Sequence, residues 1–429
     1  MLIALSVLLL LLITVGVPIL LVMGIVGLAG IVATPGLVPA MFPQKMFAML
    51  DNFSLLALPY FILAGELISA GGISQRLVEF AETVVGHWRG GLGHASVVSS
   101  MVFAGVSGSS VADTSAIGSI HVPAMKDHGY KPGFAAALVA CAGTIGAIIP
   151  PSMTMIVYGS MANVSIGGLF LGGIVPGILI GVGLMIVIGI YSRFPAYPEL
   201  RRTSGRFDVA KVLRATVNVW PALLAPVLVV GGILTGAFTA TEAGVVACFY
   251  GFFVGFFIYR ILKLRDLPRV FIRAAVTTAM VSGIIGVAGG FGWLLSYLNF
   301  NDIVLSGITG VTGTKLGVML LLMAVMLVLT MFVDSMAILI ILIPVAVVVG
   351  RNFGIDEFQL GLMMVMATQI GSTTPPVAVL LFVATSIAGC KYNETIRYCW
   401  AFIAAEVVVL LLVVLWPDLA AWIPHYFLG

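Results

Sequence analysis

Two phrases of the sequence place a pair of prolines in the same setting, GTIGAIIPPS at residues 143–152 and TQIGSTTPPV at residues 368–377. In each, a glycine is followed by three residues and then by Pro-Pro, within a strongly apolar segment. A proline inside a helix removes a backbone hydrogen bond and clashes with the preceding turn, at a cost of about 3 kcal/mol or more. Two prolines in succession therefore predict a broken helix at each phrase.

A helix that breaks inside a membrane leaves carbonyl oxygens that the hydrocarbon cannot satisfy. Such breaks are tolerated where the free carbonyls coordinate an ion or line a cavity. We therefore interpret Pro150-Pro151 and Pro375-Pro376 as candidate cation sites. The alternative interpretation is a plain kink that is packed by neighbouring helices.

A polar segment precedes each double proline. Asp334 stands between apolar residues, with Thr330 and Ser335 nearby, and an acid at membrane depth is costly and usually functional. Asp113 could act in the same way or could cap a half-helix. Close packing of small residues is an alternative explanation for the first segment, which holds seven polar or small residues: Ser107, Gly108, Ser109, Ser110, Asp113, Thr114 and Ser115.

These ligand types indicate which cation would bind. Neither segment contains histidine or cysteine at the proposed site, and oxygen ligands alone suit a hard cation better than a transition metal. Magnesium and calcium would want more carboxylates. The sequence therefore predicts sodium.

Glu66 and Glu242 also fall in apolar sequence, and we expect them to be buried acids bonded to the backbone or to a neighbouring polar group.

The elements that must position these residues are membrane helices. Of the 429 residues 61% are hydrophobic and 9% are charged, against about a quarter charged in soluble domains. Mean hydropathy is +1.19.

The first thirty residues lack a basic start, so we expect a retained membrane segment rather than a signal peptide. The net charge of +3 indicates basic cytoplasmic loops and no nucleic-acid partner.

Two basic stretches, residues 191–214 and 259–273, are predicted to be cytoplasmic, with two helices between them. The first stretch divides the chain into a first repeat at 1–200, a basic linker at 201–215 and a second repeat at 216–429. Three pairs of residues recur at nearly one spacing, which indicates an internal duplication of the chain. The spacings are 221, 225 and 224 residues for Asp113 and Asp334, Pro150 and Pro375, and Ala64 and Ala288. Chance similarity of apolar segments is the alternative interpretation.

Longer stretches resemble a known family. Residues 142–177, AGTIGAIIPPSMTMIVYGSMANVSIGGLFLGGIVPG, and residues 103–118, FAGVSGSSVADTSAIG, closely resemble the large membrane subunit of tripartite ATP-independent periplasmic (TRAP) transporters. TATEAG at residues 239–244 is similar to the family phrase TPTEA, with alanine in place of the usual proline. The resemblance covers essentially the whole chain.

The resemblance implies an all-α polytopic protein of the bacterial inner (cytoplasmic) membrane that works as an elevator-type secondary transporter. Two inverted repeats would supply the scaffold, two helical hairpins and two broken transmembrane helices. A periplasmic substrate-binding protein would deliver a small organic anion, and inward sodium flow would drive its uptake. A small four-helix membrane subunit would brace the chain within the lipid, and we expect that subunit to be a separate chain.

Carried over by motif, the resemblance also implies site residues. The substrate carboxylate would lie between the hairpin tips, held by Ser107 and Ser152 with the help of half-helix N-termini. One sodium site would use Ser107, Ser109, Gly146, Ile149 and Pro151, several through backbone carbonyls. The other would use Asp334, Gly371, Thr374 and either Val377 or Pro376.

Two other functions compete with this interpretation. A stand-alone sodium/anion symporter would need no binding protein. An intramembrane hydrolase is suggested by GVSGSS, which superficially resembles a serine-protease phrase, and by Asp113 and Asp334 taken as an aspartyl pair. A serine nucleophile needs a positioned base, and the nearby histidines, His94 and His121, do not explain the duplicated prolines.

Overall fold

The computed structural model describes residues 1–201 and 208–428, and these residues form α-helices joined by short loops. The all-helical prediction is confirmed for this part of the chain. In chain order the helices are α1 Leu2–Thr14, α2 Ile19–Ala33, α3 Met41–Leu50, α4 Ala57–Ala70, α5 Ile73–Val85, α6 Gly91–Ser107, α7 Ser110–Asp127, α8 Pro132–Thr144, α9 Met153–Ala162, α10 Ile166–Tyr191, α11 Val209–Leu234, α12 Ala240–Phe253, α13 Leu267–Tyr297, α14 Phe300–Val311, α15 Lys315–Thr330, α16 Ser335–Asn352, α17 Glu357–Gly371, α18 Val379–Ala388, α19 Tyr392–Leu415 and α20 Asp418–Leu428.

Several of these helices are long and apolar enough to cross a membrane, for which about 20 apolar residues are needed. Within the described residues there are seven such segments, and the strongly bent pair of α14 and α15 would make an eighth. The chain is therefore a multi-pass membrane protein. The seven segments are Phe53–Ala70, Ile166–Tyr191, Val209–Leu234, Ala240–Ile258, Leu264–Tyr297, Ser335–Asn352 and Tyr392–Leu415.

The sequence predicts one membrane segment in the N-terminal thirty residues, but the structure has two helices there. These are α1 and α2, of 13 and 15 residues. Gly16 adopts φ +84 in the intervening turn, and Pro18 caps α2 without offering a backbone N–H. Gly16 and Pro18 are therefore the sequence signals of this break, and the expectation of one membrane segment is wrong.

Both Pro-Pro phrases end a helix, so the predicted breaks are confirmed. Helix α8 ends at Thr144, a short 3₁₀ turn follows, and α9 begins only at Met153. Helix α17 ends at Gly371 and α18 begins at Val379. All of α17 after its first residue is buried, as is all of α8 after Pro132, so the two broken helices form the centre of the protein.

The order of helices recurs along the chain. Helices α4 to α10 contain a hairpin, α6 and α7, a broken helix, α8 and α9, and the long helix α10. Helices α13 to α19 repeat this order with the hairpin α15 and α16, the broken helix α17 and α18, and the long helix α19. The two halves also pack against each other. Helix α2 of the first half contacts α13 of the second, and helix α12 of the second half contacts α4 of the first.

The region between the halves agrees in part with its prediction. Two helices, α11 and α12, lie between the basic stretches as expected. Helix α11 begins at Val209, inside the predicted linker at 201–215, and Asp208 caps it through the N–H groups of Ala210 and Lys211. Residues 202–207 of that linker lie outside the described residues.

Close approach at the first hairpin generates a stability prediction. Gly108 joins α6 to α7 with φ +68, and a Cβ there would lie 2.7 Å from the Pro151 carbonyl oxygen. We expect Gly108→Ala to lower the melting temperature of the detergent-purified protein more than Gly389→Ala does. Gly389 has φ +63 and nothing within 4 Å, so its variant carries only the conformational cost of about 1–2 kcal/mol. Equal losses would contradict tight packing of the hairpin against the first break.

Candidate functional site: two helix breaks around a polar cleft

The first double proline frees two carbonyl groups by a simple count along the helix. Pro150 and Pro151 stand four residues after Gly146 and Ala147, where their missing N–H groups would have closed the next helical hydrogen bonds. The Ala147 oxygen instead accepts from the Ser152 hydroxyl at 2.5 Å and the Thr154 hydroxyl at 3.2 Å. The Gly146 carbonyl has lost the same donor, which makes it suitable as a cation ligand.

The second double proline acts in the same way. Pro375 and Pro376 stand four residues after Gly371 and Ser372. The Gly371 oxygen accepts from the Thr374 N–H at 3.0 Å, and the Ser372 oxygen accepts from the Leu380 N–H at 3.2 Å. A carbonyl oxygen has two lone pairs, so each retains acceptor capacity.

Each break is tied to the hairpin tip of its own half by a backbone hydrogen bond. The Met153 N–H donates to the Gly108 oxygen at 3.2 Å, and the Val377 N–H donates to the Met331 oxygen at 3.2 Å. The two bonds occupy corresponding places in the recurring helix order. Breaks and hairpin tips therefore meet as two matched sites.

The residues predicted for the first sodium site lie together. The Ser107 hydroxyl donates to Asp113 and accepts from the Ser109 N–H at 3.3 Å. Gly146 lies against the Asp113 carboxyl group, since a Cβ on Gly146 would be 2.2 Å from Asp113 Oδ2. Pro151 lies beside Gly108 at the hairpin tip. Ile149 belongs to the same loop, and its N–H donates to the Ile145 oxygen at 2.9 Å.

The two acids differ from their sequence interpretation. The pairing of Asp113 with Asp334 as equivalent positions is wrong, because Ser109 and Asp334 are the residues that cap the second hairpin helices α7 and α16. Asp334 is exposed, and its Oδ1 accepts from the N–H groups of Met336 and Ala337 at 3.0 and 3.1 Å. Asp113 lies one turn into α7, fully buried, and its Oδ2 has no hydrogen-bond partner among the described residues.

The residues predicted for the second sodium site also gather around one break. Gly371 touches α15, where a Cβ would lie 1.7 Å from the Thr330 hydroxyl oxygen. The Thr374 hydroxyl donates to the Ile370 oxygen at 2.8 Å. The Tyr392 hydroxyl lies 2.9 Å from the Pro376 oxygen and 3.3 Å from the Val377 oxygen, so both candidate carbonyls face the start of α19. Tyr392 gave no signal in the sequence.

A cleft opens between the two matched sites, with about 540 Å³ of space including its open mouth. The first turns of four helices, α7, α9, α16 and α18, contribute to its wall. Each helix N-terminus carries roughly half a positive charge. Among the described residues, Asp334 is the only charged member of the wall, which consists of Gly108, Ser109, Ser110, Val111, Ala147, Met153, Thr154, Asp334, Ser335, Met336, Gln369, Ser372, Val379 and Leu380. This arrangement suits a small anion that is bound by helix dipoles and hydroxyls.

One hydrogen bond joins the two halves across the cleft wall. The Ser110 hydroxyl donates to Gln369 Oε1 at 2.6 Å, and both side chains are almost fully buried. Gln369 and Thr154 were not singled out from the sequence, although both lie within or next to a Pro-Pro phrase. Their neutral side chains could not be distinguished from ordinary helix positions without the tertiary structure.

The structure does not bring the predicted carboxylate-binding serines to the cleft wall. Ser107 faces Asp113, and Ser152 is fully buried as the cap of α9, where it accepts from the Met155 N–H at 3.3 Å. Their substrate role stays a prediction. The hydroxyls that line the cleft belong to Ser109, Ser110, Thr154, Ser335 and Ser372.

One of the other two acids in apolar sequence has a local role. Glu242 is exposed rather than buried, and it forms a capping box with Thr239 at the start of α12. Its carboxyl group accepts from the Thr239 N–H at 2.8 Å. The expected backbone bond is therefore confirmed, whereas the expected burial of Glu242 is wrong.

Comparisons with known proteins agree with this architecture. The model of the family described as "Tripartite ATP-independent periplasmic transporter, DctM component" matches residues 6–419. The C4-dicarboxylate TRAP transporter large permease protein DctM of Pseudomonas aeruginosa is 37% identical over 382 residues, which are 89% of this chain and 88% of that protein. The sialic acid TRAP transporter large permease protein SiaM of Vibrio cholerae is 33% identical, with 90% of each chain covered.

A solved structure shares the fold at low sequence identity. The YdaH transporter of Alcanivorax borkumensis superposes with a TM-score of 0.60 at 14% identity, over 88% of this chain and 87% of that chain. The family model matches nearly the whole chain, and the two large permease relatives match it over similar lengths. The chain is a member of the DctM component family of tripartite ATP-independent periplasmic transporters.

Proposed function

We propose that this chain is the sodium-coupled membrane subunit that imports a small organic anion. The observation that carries the proposal is the cleft between four helix N-termini, whose wall has hydroxyls but no lysine or arginine. A carboxylate in this cleft would be stabilised by backbone N–H groups and dipoles rather than by a fixed cation. The two large permeases compared above act on C4-dicarboxylates and on sialic acid, both carboxylates, which supports an acidic substrate.

Sodium coupling would follow from the lack of a positively charged side chain in the described wall of this cleft. The first site offers Ser107, the Gly146 carbonyl and a buried carboxyl oxygen of Asp113 with no other partner. The second offers Asp334 and the carbonyls around Gly371 and Pro376. A sodium ion bound at each break would satisfy these oxygens and would add positive charge beside the bound anion. The anion and the ions would then stabilise one another in the membrane.

The remaining parts of the system are proposed from the family. A periplasmic substrate-binding protein would deliver the anion, and a small membrane subunit would hold the scaffold in the bacterial inner membrane. The recurring helices would be inverted repeats, and the hairpins with the broken helices would move together as an elevator. The contacts of α2 with α13 and of α4 with α12, which join the two halves, support such a paired scaffold.

The competing functions have less support. Ser107 is bonded to Asp113, and His121 is paired with Ser99 at 3.0 Å, so the serine of the GVSGSS phrase has no histidine as its bonded base. Both of the large permeases compared above are transporter proteins. A stand-alone symporter differs from the proposal only in its need for a binding protein, which an uptake experiment decides.

The second sodium site can be tested by thermal unfolding of the detergent-purified protein in sodium against potassium at constant ionic strength. A ligand of the folded state adds about 2.7 kcal/mol of stability at a hundredfold excess over Kd. We expect a sodium-selective rise in melting temperature that Asp334→Asn and Thr374→Ala both weaken. Asparagine caps a helix as well as aspartate does, so Asp334→Asn removes the charge and keeps the start of α16 intact.

Matched control variants are Asp302→Asn and Thr309→Ala, which change the same residue types on α14, outside the cleft wall. Both should retain the full sodium response. An identical response to sodium and potassium in the wild type and in both site variants would count against sodium at this break. The prolines would then have to be interpreted as kinks, and protons would be the next coupling ion to test.

The anion cleft can be tested by uptake in proteoliposomes that contain this chain with its small subunit, using succinate and N-acetylneuraminate as probes. We expect sodium-driven uptake of a carboxylate only when the binding protein is present. Ser335→Asp should lower kcat/KM more than tenfold, because two like charges at 4 Å repel by about 4 kcal/mol at an effective dielectric constant of 20. Asn301→Asp on α14 adds the same charge outside the cleft wall and should change little.

Uptake that persists without any binding protein would favour the stand-alone symporter. Equal kinetics in the Ser335→Asp and Asn301→Asp variants would contradict the assignment of this cleft to the anion.

A further inference from the structure

A buried acid lies between the two helix breaks and belongs to neither predicted sodium site. Glu406, in the middle of α19, has no exposed surface. Its Oε1 lies 2.7 Å from the hydroxyl oxygen of Thr144, the last residue of α8 before the first break. Its Oε2 has no hydrogen-bond partner among the described residues. The hydroxyl of Thr373, in the second break, lies close to the same carboxyl group.

The hydrogen atoms around this carboxyl group can be counted. The Thr144 hydroxyl oxygen lies 2.7 Å from the Cys141 carbonyl oxygen and 2.7 Å from Glu406 Oε1. A hydroxyl has one hydrogen, and a carbonyl oxygen can only accept. If Thr144 donates to Cys141, the hydrogen between Thr144 and Glu406 must come from Glu406. Both short contacts are then hydrogen bonds only when the acid is protonated.

The second threonine has the same geometry. The Thr373 hydroxyl donates to the Ile370 oxygen at 2.8 Å, so its hydrogen is also committed to its own helix. It therefore turns a lone pair, rather than a donor, toward the acid. If both threonine hydrogens are donated to these backbone carbonyl oxygens, an ionised Glu406 receives no hydrogen bond from either hydroxyl in a fully buried position, which is strongly unfavourable for a carboxylate.

Among the described residues, the other groups around Glu406 do not supply a close counter-charge. Arg397, the cation of α19 itself, stands nine residues before Glu406, about 13 Å away along the helix axis. Of the helices packed against α19, α8, α10 and α18 contain no charged residue, and the titratable groups that face Glu406 are the thiols of Cys141 and Cys399. Helix α15 has its cation, Lys315, at its first residue. Lys315 is about 22 Å along the helix from Thr330, the last residue, at 1.5 Å per residue. The charged residues of α17 and α20, namely Glu357, Asp418 and His425, belong to the end of α19 near Val413, where Gln359 bonds to α19.

We infer that Glu406 is a proton-binding site built between the two broken helices, and that the proton is bound in this structure. The carboxyl O–H donates to Thr144, and the Thr144 O–H donates to the Cys141 carbonyl. The neutral acid thus fixes the end of α8, two residues before Gly146, and it touches the second break through Thr373. This site binds a proton whether or not sodium drives uptake, so it does not depend on the proposed function.

Infrared difference spectroscopy of the purified full chain tests the inference at neutral pH. The wild-type spectrum minus that of Glu406→Gln isolates this carboxyl group. We expect the carbonyl-stretch band of a protonated, hydrogen-bonded carboxylic acid, and no carboxylate bands. Because glutamine is neutral and has nearly the same shape, Glu406→Gln should also melt within roughly 2 °C of the wild type. Carboxylate bands in the difference spectrum would overturn the inference.

A second variant keeps the test decisive if Glu406→Gln does not fold. Thr144→Val removes the acceptor of the carboxyl hydrogen and keeps the shape of the side chain. We expect the acid band to persist and to move to higher frequency, because its hydrogen bond is lost. The opposite finding, carboxylate bands that change in Thr144→Val while no acid band moves, would show an ionised Glu406 that accepts from threonine.

Discussion

Every carbonyl group inside a membrane must find a donor or a cation, and the rest of this structure follows from that constraint. At two places the chain removes the donor by placing prolines four residues after Gly146 and Gly371. The protein then rebuilds part of the missing network from nearby hydroxyls and hairpin tips, as in the bonds of Ser152 to Ala147 and of Met153 to Gly108. What the rebuilt network leaves free is oxygen, concentrated at two matched places beside one cleft.

The breaks and the hairpin tips create the positive end of the site. A helix that begins anew presents unpaired N–H groups at its N-terminus. In this chain α9 and α18 begin after the breaks, α7 and α16 begin after the hairpin tips, and all four reach the cleft wall. Breaks and hairpin tips together would therefore supply both parts of the proposed symport site, carbonyl oxygens for cations and backbone N–H groups for an anion. In this proposal an anion cleft needs no lysine or arginine among the described residues of its wall.

The sequence was sufficient for the two Pro-Pro breaks, because proline chemistry is local. It was not sufficient for the acids. Asp113 and Asp334 have similar neighbours in the chain, yet one is buried beside Gly146 and the other caps α16. The difference is a shift of one helical turn relative to the hairpin tip, and only the folded hairpin defines where that tip lies. The prediction of one segment in place of α1 and α2 was wrong for a different reason, since Gly16 and Pro18 mark the break but stand within a continuous apolar stretch.

Glu406 illustrates the limit most clearly. It lies in α19, among apolar residues, with no motif around it, and its importance comes entirely from Thr144 and Thr373, which lie 262 and 33 residues earlier in the chain. A fixed negative charge on Glu406 would add to the carboxylate of Asp334 already in the cleft wall and would oppose the proposed anion. A neutral, protonated acid avoids this effect. The protonated form of Glu406 is therefore the form that suits a buried place between the two breaks.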